Sequence, residues 1–210
     1  MLPDVVIPAR NEALTIGPIV KAFFNRPCHI AKLIVVDNLS TDDTGAIAKS
    51  EGAQVVRCNI PGKGEAITAG LEHVTSDRVI FVDADLINFE TRHVELLAAD
   101  RSGMVIWTVD DDYEPKWANL TRYNAGTRSL PTALARCAYL EGYEMENMLN
   151  LAAGLHRVPI VFKKLPGVCQ YWMPIVQKTS LPARCIRRTV QGACGASDYG
   201  GYTYKSLSRT

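Results

Sequence analysis

No two cysteines in this 210-residue sequence are spaced C-x-x-C. The six present (Cys28, Cys58, Cys137, Cys169, Cys185 and Cys194) are scattered. That excludes a zinc ribbon or a small disulfide framework and predicts reduced thiols in a cytoplasmic protein. No apolar run approaches the roughly 20 residues of a membrane span. Strand-like sequence begins within four residues of Met1, which predicts no signal peptide. Net charge is also nearly absent, with 23 Lys plus Arg against 22 Asp plus Glu. The balance is uneven, however: from Lys178 onward six basic residues stand against one acid, Asp198. Such an asymmetry fits either a polyanion contact or a solvated tail.

Two periodicities alternate through the first hundred residues. The apolar runs "DVVIPA", "KLIVVD", "AQVVRC" and "RVIFVDA" predict four buried strands. Between them lie helical patterns over 13–24, from the "TDDT" stretch to Gly52, and from Gly62-Lys63-Gly64 to Leu71. Strands separated by single helices predict βαβ units, hence an α/β fold with a mostly parallel sheet and helices on both faces. "TRHVELLAA" predicts a further helix and "GMVIWTV" a fifth strand. The polar stretch 110–129 is too long for a tight connection and predicts a functional loop or lid. "PTALARCAYL" predicts a helix with Pro131 in its first turn. A second helix is expected over 144–155, with Met145, Met148, Leu149, Ala152 and Leu155 on one face, and "VPIVFKKL" is expected to be a late strand. The expected organisation is one domain over 1–177, with a ligand-binding half (1–100), a second half (101–177) and a basic, Gly/Ser/Tyr-rich tail (178–210).

Two glycine motifs are missing. Without G-x-G-x-x-G after the first strand, a nicotinamide-binding fold is disfavoured, and without G-x-x-x-x-G-K-[ST] there is no Walker phosphate loop. What stands at the carboxyl ends of the strands, where parallel sheets bind ligands, is a set of polar residues: Pro8, Ala9, Arg10 and Glu12; Asp37 and Asn38; Lys63 between two glycines; and Asp83-Ala84-Asp85. Residues i and i+2 of an extended segment point the same way. Two like charges placed so call for a cation between them, or else they cap the following turn. A hard divalent cation, Mn2+ or Mg2+, prefers such oxygen donors and keeps positions open for phosphates.

The order "VVIPARNEALTIG … LIVVDNLSTDDTGAIA … PGKGEAITAGL … VIFVDADLI" resembles the nucleotide-sugar half of GT-A-fold glycosyltransferases of the family 2 type. Within that group it is closest in motif to glucosyl-3-phosphoglycerate synthase-like enzymes. The resemblance implies a Rossmann-like GT-A fold and metal-dependent transfer of a hexose from a nucleoside diphosphate sugar, UDP-glucose foremost, to an acceptor hydroxyl. It implies that Pro8, Ala9, Arg10 and Glu12 border the base and ribose, with Asn38 alongside and Asp37 bonding the base. Lys63 would lie near the base or diphosphate, and Asp83 and Ala84 near the ribose. Asp85, with Asp83, would hold the metal. Further on, "GTRSLPTALA" makes Arg128 an anion contact near the acceptor, and "EGYEMENML" places Glu146 as an acid that orients or deprotonates the acceptor hydroxyl. One departure stands out: relatives of the phosphoglycerate type carry a histidine soon after a G-V pair to complete the metal site, whereas "PGVCQYWMP" has none.

The acceptor is either a small anionic hydroxy compound or, given the basic tail and Arg128, a hydroxymethylated base in DNA. A non-catalytic nucleotide-sugar-binding module is the third reading. A nucleotidyltransferase is disfavoured because "IPARNEA" lacks a glycine-rich loop. Family 2 members invert at the anomeric carbon and the phosphoglycerate type retains, so the stereochemistry stays open, as does homo-oligomerisation.

Overall fold

The computed structural model describes residues 1–25, 29–109, 125–138, 140 and 144–170. The apolar runs form strands as expected: β1 (Asp4–Ala9), β2 (Lys32–Asn38), β3 (Gln54–Cys58) and β4 (Arg78–Phe81). Three helices separate them, α1 (Ile16–Phe24), α2 (Thr44–Ser50) and α3 (Lys63–Leu71). Then follow β5 (Leu86–Ile87), α4 (Thr91–Ala99), β6 (Met104–Val109), β7 (Arg128–Pro131), α5 (Thr132–Cys137), α6 (Met145–Leu155), β8 (Ile160–Leu165) and β9 (Cys169–Gln170).

Seven strands form one sheet in the order β3-β2-β1-β4-β7-β6-β8. β1 pairs in parallel with β2 and β4, β2 with β3, and β6 with β8. Only β7 runs against its neighbours. Alternate strand residues feed two cores, as the two-residue repeat of a sheet requires. Val5, Ile7, Val35 and Ile80 pack with Ile16, Ile19, Val20, Val94 and Leu97 from α1 and α4. Val6, Ile34, Val36, Val79 and Phe81 pack on the other face with Ile67, Leu134, Met145 and Leu149 from α3, α5 and α6. Among the described residues no helix is long and apolar enough to cross a membrane, and Cys58, Cys137 and Cys169 are free thiols.

Several expectations need correction. β4 stops at Phe81, and although the Val82 amide still bonds the Val6 carbonyl, Ala84 and Asp85 lie in a turn. The two aspartates therefore do not share the alternation of an extended strand. β7 was not expected, because "RSLP" has no apolar pattern. Its polar side chains are buried only because they are bonded: Arg78 Nε donates to Ser129 Oγ at 2.8 Å, and Arg128 finds three acceptors. Pro131 closes β7 rather than entering α5, a strand-end position where its missing N–H costs nothing. Leu155 is 73% exposed and so leaves the buried face of α6. The expected lid falls almost wholly on residues outside those described, as do the basic tail and Cys28, Cys185 and Cys194.

Candidate active site

The register aligns the carboxyl ends of the first strands, with Ala9 beside Asp37, Asp37 beside Arg57 and Val6 beside Phe81. Pro8 and Ala9 end β1, and the loop beyond them is laced to the loop after β2. Asn11, in the left-handed region at φ 55°, accepts from the Thr41 amide at 2.8 Å, and its own amide donates to Ser40 Oγ. The Glu12 amide donates to Thr44 Oγ1 at 2.8 Å. Glu12 itself is buried and Arg10 half-buried. The Thr15 hydroxyl, 3.1 Å from Glu12 Oε2, donates to the Ala84 carbonyl at 2.7 Å. That bond fixes the turn between the two aspartates to the start of α1.

Asp37 is buried and accepts from the Ser40 amide at 3.0 Å. Asn38, expected beside a nucleotide, spends its amide on the next loop instead. Its Nδ2 donates to the Ile60 carbonyl at 2.7 Å, and its Oδ1 accepts from the Gly62 amide at 3.1 Å. Gly62 sits at φ +147°, where a side chain would be strained. Asn38 is thus a residue that presents Lys63, the first residue of α3.

Lys63 is the centre of the arrangement. Its Nζ donates to Asp83 Oδ1 at 2.8 Å and to Glu146 Oε1 at 3.0 Å, and the side chain is 21% exposed. Burial works against the ammonium charge, but the Asp83 and Glu146 carboxylates outweigh it, and the lysine pKa lies above its ordinary value. For Asp83, burial pushes the pKa up, yet Lys63, then Thr127 and Arg128, leave it below the usual carboxylate range. The Asp83 amide also donates to Thr127 Oγ1, and the Thr127 hydroxyl to Asp83 Oδ2, both at 3.2 Å. At Gly126 a Cβ would collide with the Asp83 carboxylate and the Lys63 ammonium, so only glycine lets the backbone pass so close.

Arg128 does not stand where a ligand could meet it. It is 0% exposed. Its Nε donates to the Ala125 carbonyl at 2.8 Å, and its Nη1 to the Glu146 carbonyl at 3.1 Å and Asn150 Oδ1 at 2.8 Å. Burial lowers its pKa to about 10, with Glu146 and Asp83 opposing that shift. The guanidinium clamps the first turn of α6, which carries Glu146, against residue 125. The expected anion contact is therefore a structural clamp.

Asp85 meets a different partner: Gln170 Nε2 donates to its Oδ1 at 3.1 Å and its Oδ2 at 3.0 Å. Among the described residues no three His, Cys, Asp or Glu side chains group as a metal cluster. Asp85 nevertheless supplies a carboxylate, and Gln170 an amide whose oxygen would be a second hard donor with the group turned over. That fits Mg2+ or Mn2+ bound through one or two protein groups with phosphate and water completing the shell. Asp83 fits less well, because Lys63 already supplies its cation.

Sequence reasoning missed Gln170, Thr127, Gly126 and Asn150. Thr127 and Gly126 adjoin Arg128 in "GTRS" and could have been drawn in with it. Gln170 carried no signal beyond standing where a histidine was sought.

The family model described as glycosyl transferase family 2 matches residues 4–148. Glucosyl-3-phosphoglycerate synthase of Mycobacterium tuberculosis (strain ATCC 25618 / H37Rv) is 40% identical over 94 residues, which are 40% of this chain and 29% of that protein. 4,4'-Diaponeurosporenoate glycosyltransferase of Staphylococcus aureus (strain MRSA252) is 34% identical over 99 residues, 44% of this chain and 26% of that protein. The match thus spans less than a third of either relative. Among solved structures, the M. tuberculosis synthase in complex with Mn2+, UDP and phosphoglyceric acid superimposes with a TM-score of 0.73 at 24% identity, over 91% of this chain and 78% of that one. The same enzyme with Mn2+, UDP-glucose and phosphoglyceric acid gives 0.72 at 25% identity, over 92% and 80%. The fold is that of the GT-A enzymes.

Proposed function

Because the chain belongs to glycosyl transferase family 2, we propose that it is a glycosyltransferase that moves a hexose from a nucleoside diphosphate sugar, UDP-glucose foremost, to a hydroxyl of a small anionic acceptor. The observation that carries this reading is Lys63, held between Asp83 and Glu146 at the carboxyl edge of the parallel strands.

In this account the base and ribose rest against Pro8, Ala9, Arg10, Glu12 and Asp37, on the two loops laced together at the ends of β1 and β2. Lys63 turns part of its charge to the diphosphate. A divalent cation held by Asp85 would supply further positive charge against the departing diphosphate, the electrostatic effect that dominates such transfers. The bond from the anomeric carbon to the diphosphate oxygen breaks and one to the acceptor oxygen forms. The acceptor's proton then needs a base, and we assign to Glu146, on the first turn of α6, the role of taking it or orienting the hydroxyl. Relatives with Mn2+, UDP-glucose and phosphoglyceric acid bound support the donor and suggest a phosphorylated, carboxylated acceptor. The DNA reading loses one of its two supports, since Arg128 is buried.

The test is transfer of labelled glucose from UDP-glucose, with Mn2+, to phosphorylated and carboxylated hydroxy compounds. Product with one of them, lost in Glu146→Gln, supports the reading. Absence of both product and donor hydrolysis would contradict it.

A further inference from the structure

Asp85 and Gln170 are 85 residues apart and meet through the short ladder of β5 and β9, where Leu86 pairs with Gln170 and Ile87 with Cys169. The Gln170 nitrogen lies at nearly equal distances, 3.1 and 3.0 Å, from the two Asp85 oxygens. It therefore sits close to the bisector of the carboxylate, the place a cation shared by both oxygens would take.

The position of Gln170 is set from behind. Val168, two residues earlier, is fully buried in the core with Leu86 and Phe89. His93 is fully buried as well. Its Nδ1 accepts from the Glu90 amide at 2.9 Å, so its Nε2 carries the hydrogen and donates to the Pro166 carbonyl at 3.0 Å. The turn from β8 into β9 is thereby pinned to the start of α4, and Gln170 is delivered to Asp85 by packed structure.

A primary amide carries a donor and an acceptor on one carbon, and a half-turn about its last torsion exchanges them without moving the backbone. Building on the donor-site reading above, we propose that Gln170 is a protein ligand of the divalent cation. Without metal its N–H groups hold the Asp85 carboxylate; with metal its Oε1 turns to the ion beside Asp85. The site then offers one charged and one neutral oxygen donor. Such a pair suits the hard cations Mg2+ and Mn2+, lacks the imidazole or thiolate that Zn2+ sites use, and leaves positions for diphosphate oxygens. It also makes Mn2+ bind more tightly when UDP is present, because the diphosphate completes the donor set.

The test follows free Mn2+ by electron paramagnetic resonance during titration of the full chain with UDP present, for wild type, Gln170→Ala, Gln170→Glu and Gln170→His. UDP binding without metal is measured in parallel. The expected result is Mn2+ binding about tenfold or more weaker in Gln170→Ala and tighter in Gln170→Glu. In Gln170→His the preference should move toward Zn2+. Gln170→Glu matches the native side chain in size, so it reports even where Gln170→Ala loosens the ladder. Wild type and all variants binding Mn2+ within about twofold of one another would overturn the proposal while leaving the donor site standing. A wild type that binds neither UDP nor Mn2+ would overturn both.

Discussion

Lys63 Nζ and Glu146 Oε1, on residues 83 apart in the chain, lie 3.0 Å from each other. The same ammonium holds Asp83 at 2.8 Å. One cation thus joins the first residue of α3, the segment just after β4 and the first turn of α6.

Removing that cation should be costly. In Lys63→Met, Asp83 and Glu146 would face each other largely out of solvent with no counter-charge. A fully buried pair broken in this way costs about 3–5 kcal/mol, and the partial exposure of Lys63 lowers the expectation to about 2–3 kcal/mol. Urea denaturation should show a lower midpoint at an unchanged slope. Adding Asp83→Asn to Lys63→Met should recover part of the loss.

Acid should expose the same contact. The folded-state pKa of Asp83 lies below the ordinary carboxylate value. The stability it contributes is therefore present above the unfolded pKa and lost as pH falls through the folded one. Asp100 adds a similar dependence: hydrogen bonds from Lys163 and then Ser102 hold its pKa at about 2. Thermal melts from pH 5 down to pH 2 should show wild type losing stability faster than Asp83→Asn, so the gap between them should narrow toward the acid end. Parallel curves would contradict the assignment.

Arg128 should behave as a clamp. Arg128→Ala leaves the Ala125 and Glu146 carbonyls and Asn150 without this donor and opens a cavity, for an expected loss of about 3–5 kcal/mol. Arg128→Lys keeps the charge but cannot reproduce the planar fork, and should cost about 2 kcal/mol. Because the guanidinium is buried, the salt dependence of acceptor binding in any folded Arg128 variant should match wild type. A flatter salt slope would restore Arg128 as an anion contact.

Gly126→Ala should spare the fold and injure the site. The added methyl presses on the ends of two polar side chains rather than on backbone, so the chain should still fold, at a cost of about 1–2 kcal/mol, less than removing Lys63. UDP affinity, measured by calorimetry, should fall because Lys63 and Asp83 are pushed apart.

The loops at the carboxyl ends of the first four strands were legible because each follows a short apolar run, which places Pro8, Asp37, Lys63 and Asp83 at one sheet edge. β7 was not legible. Its residues Arg128 and Ser129 have the look of a loop, and partners such as Arg78, some 50 residues away, Asn150 and the Ala125 and Glu146 carbonyls make their burial tolerable. The same holds for Asp85. Its spacing from Asp83 suggested a shared direction, but the turn at Ala84, fixed by Thr15, sends the two carboxylates to Lys63 and to Gln170. Contacts of that range leave no periodic trace in a sequence.

The most direct test of the donor site is calorimetric titration of UDP into wild type and Asp85→Ala, with and without Mn2+. The account predicts that Mn2+ tightens UDP binding to wild type by about tenfold or more, and that Asp85→Ala loses this gain while keeping its metal-free binding. No binding of UDP by the wild-type chain with Mn2+ present, or an undiminished gain in Asp85→Ala, would contradict it.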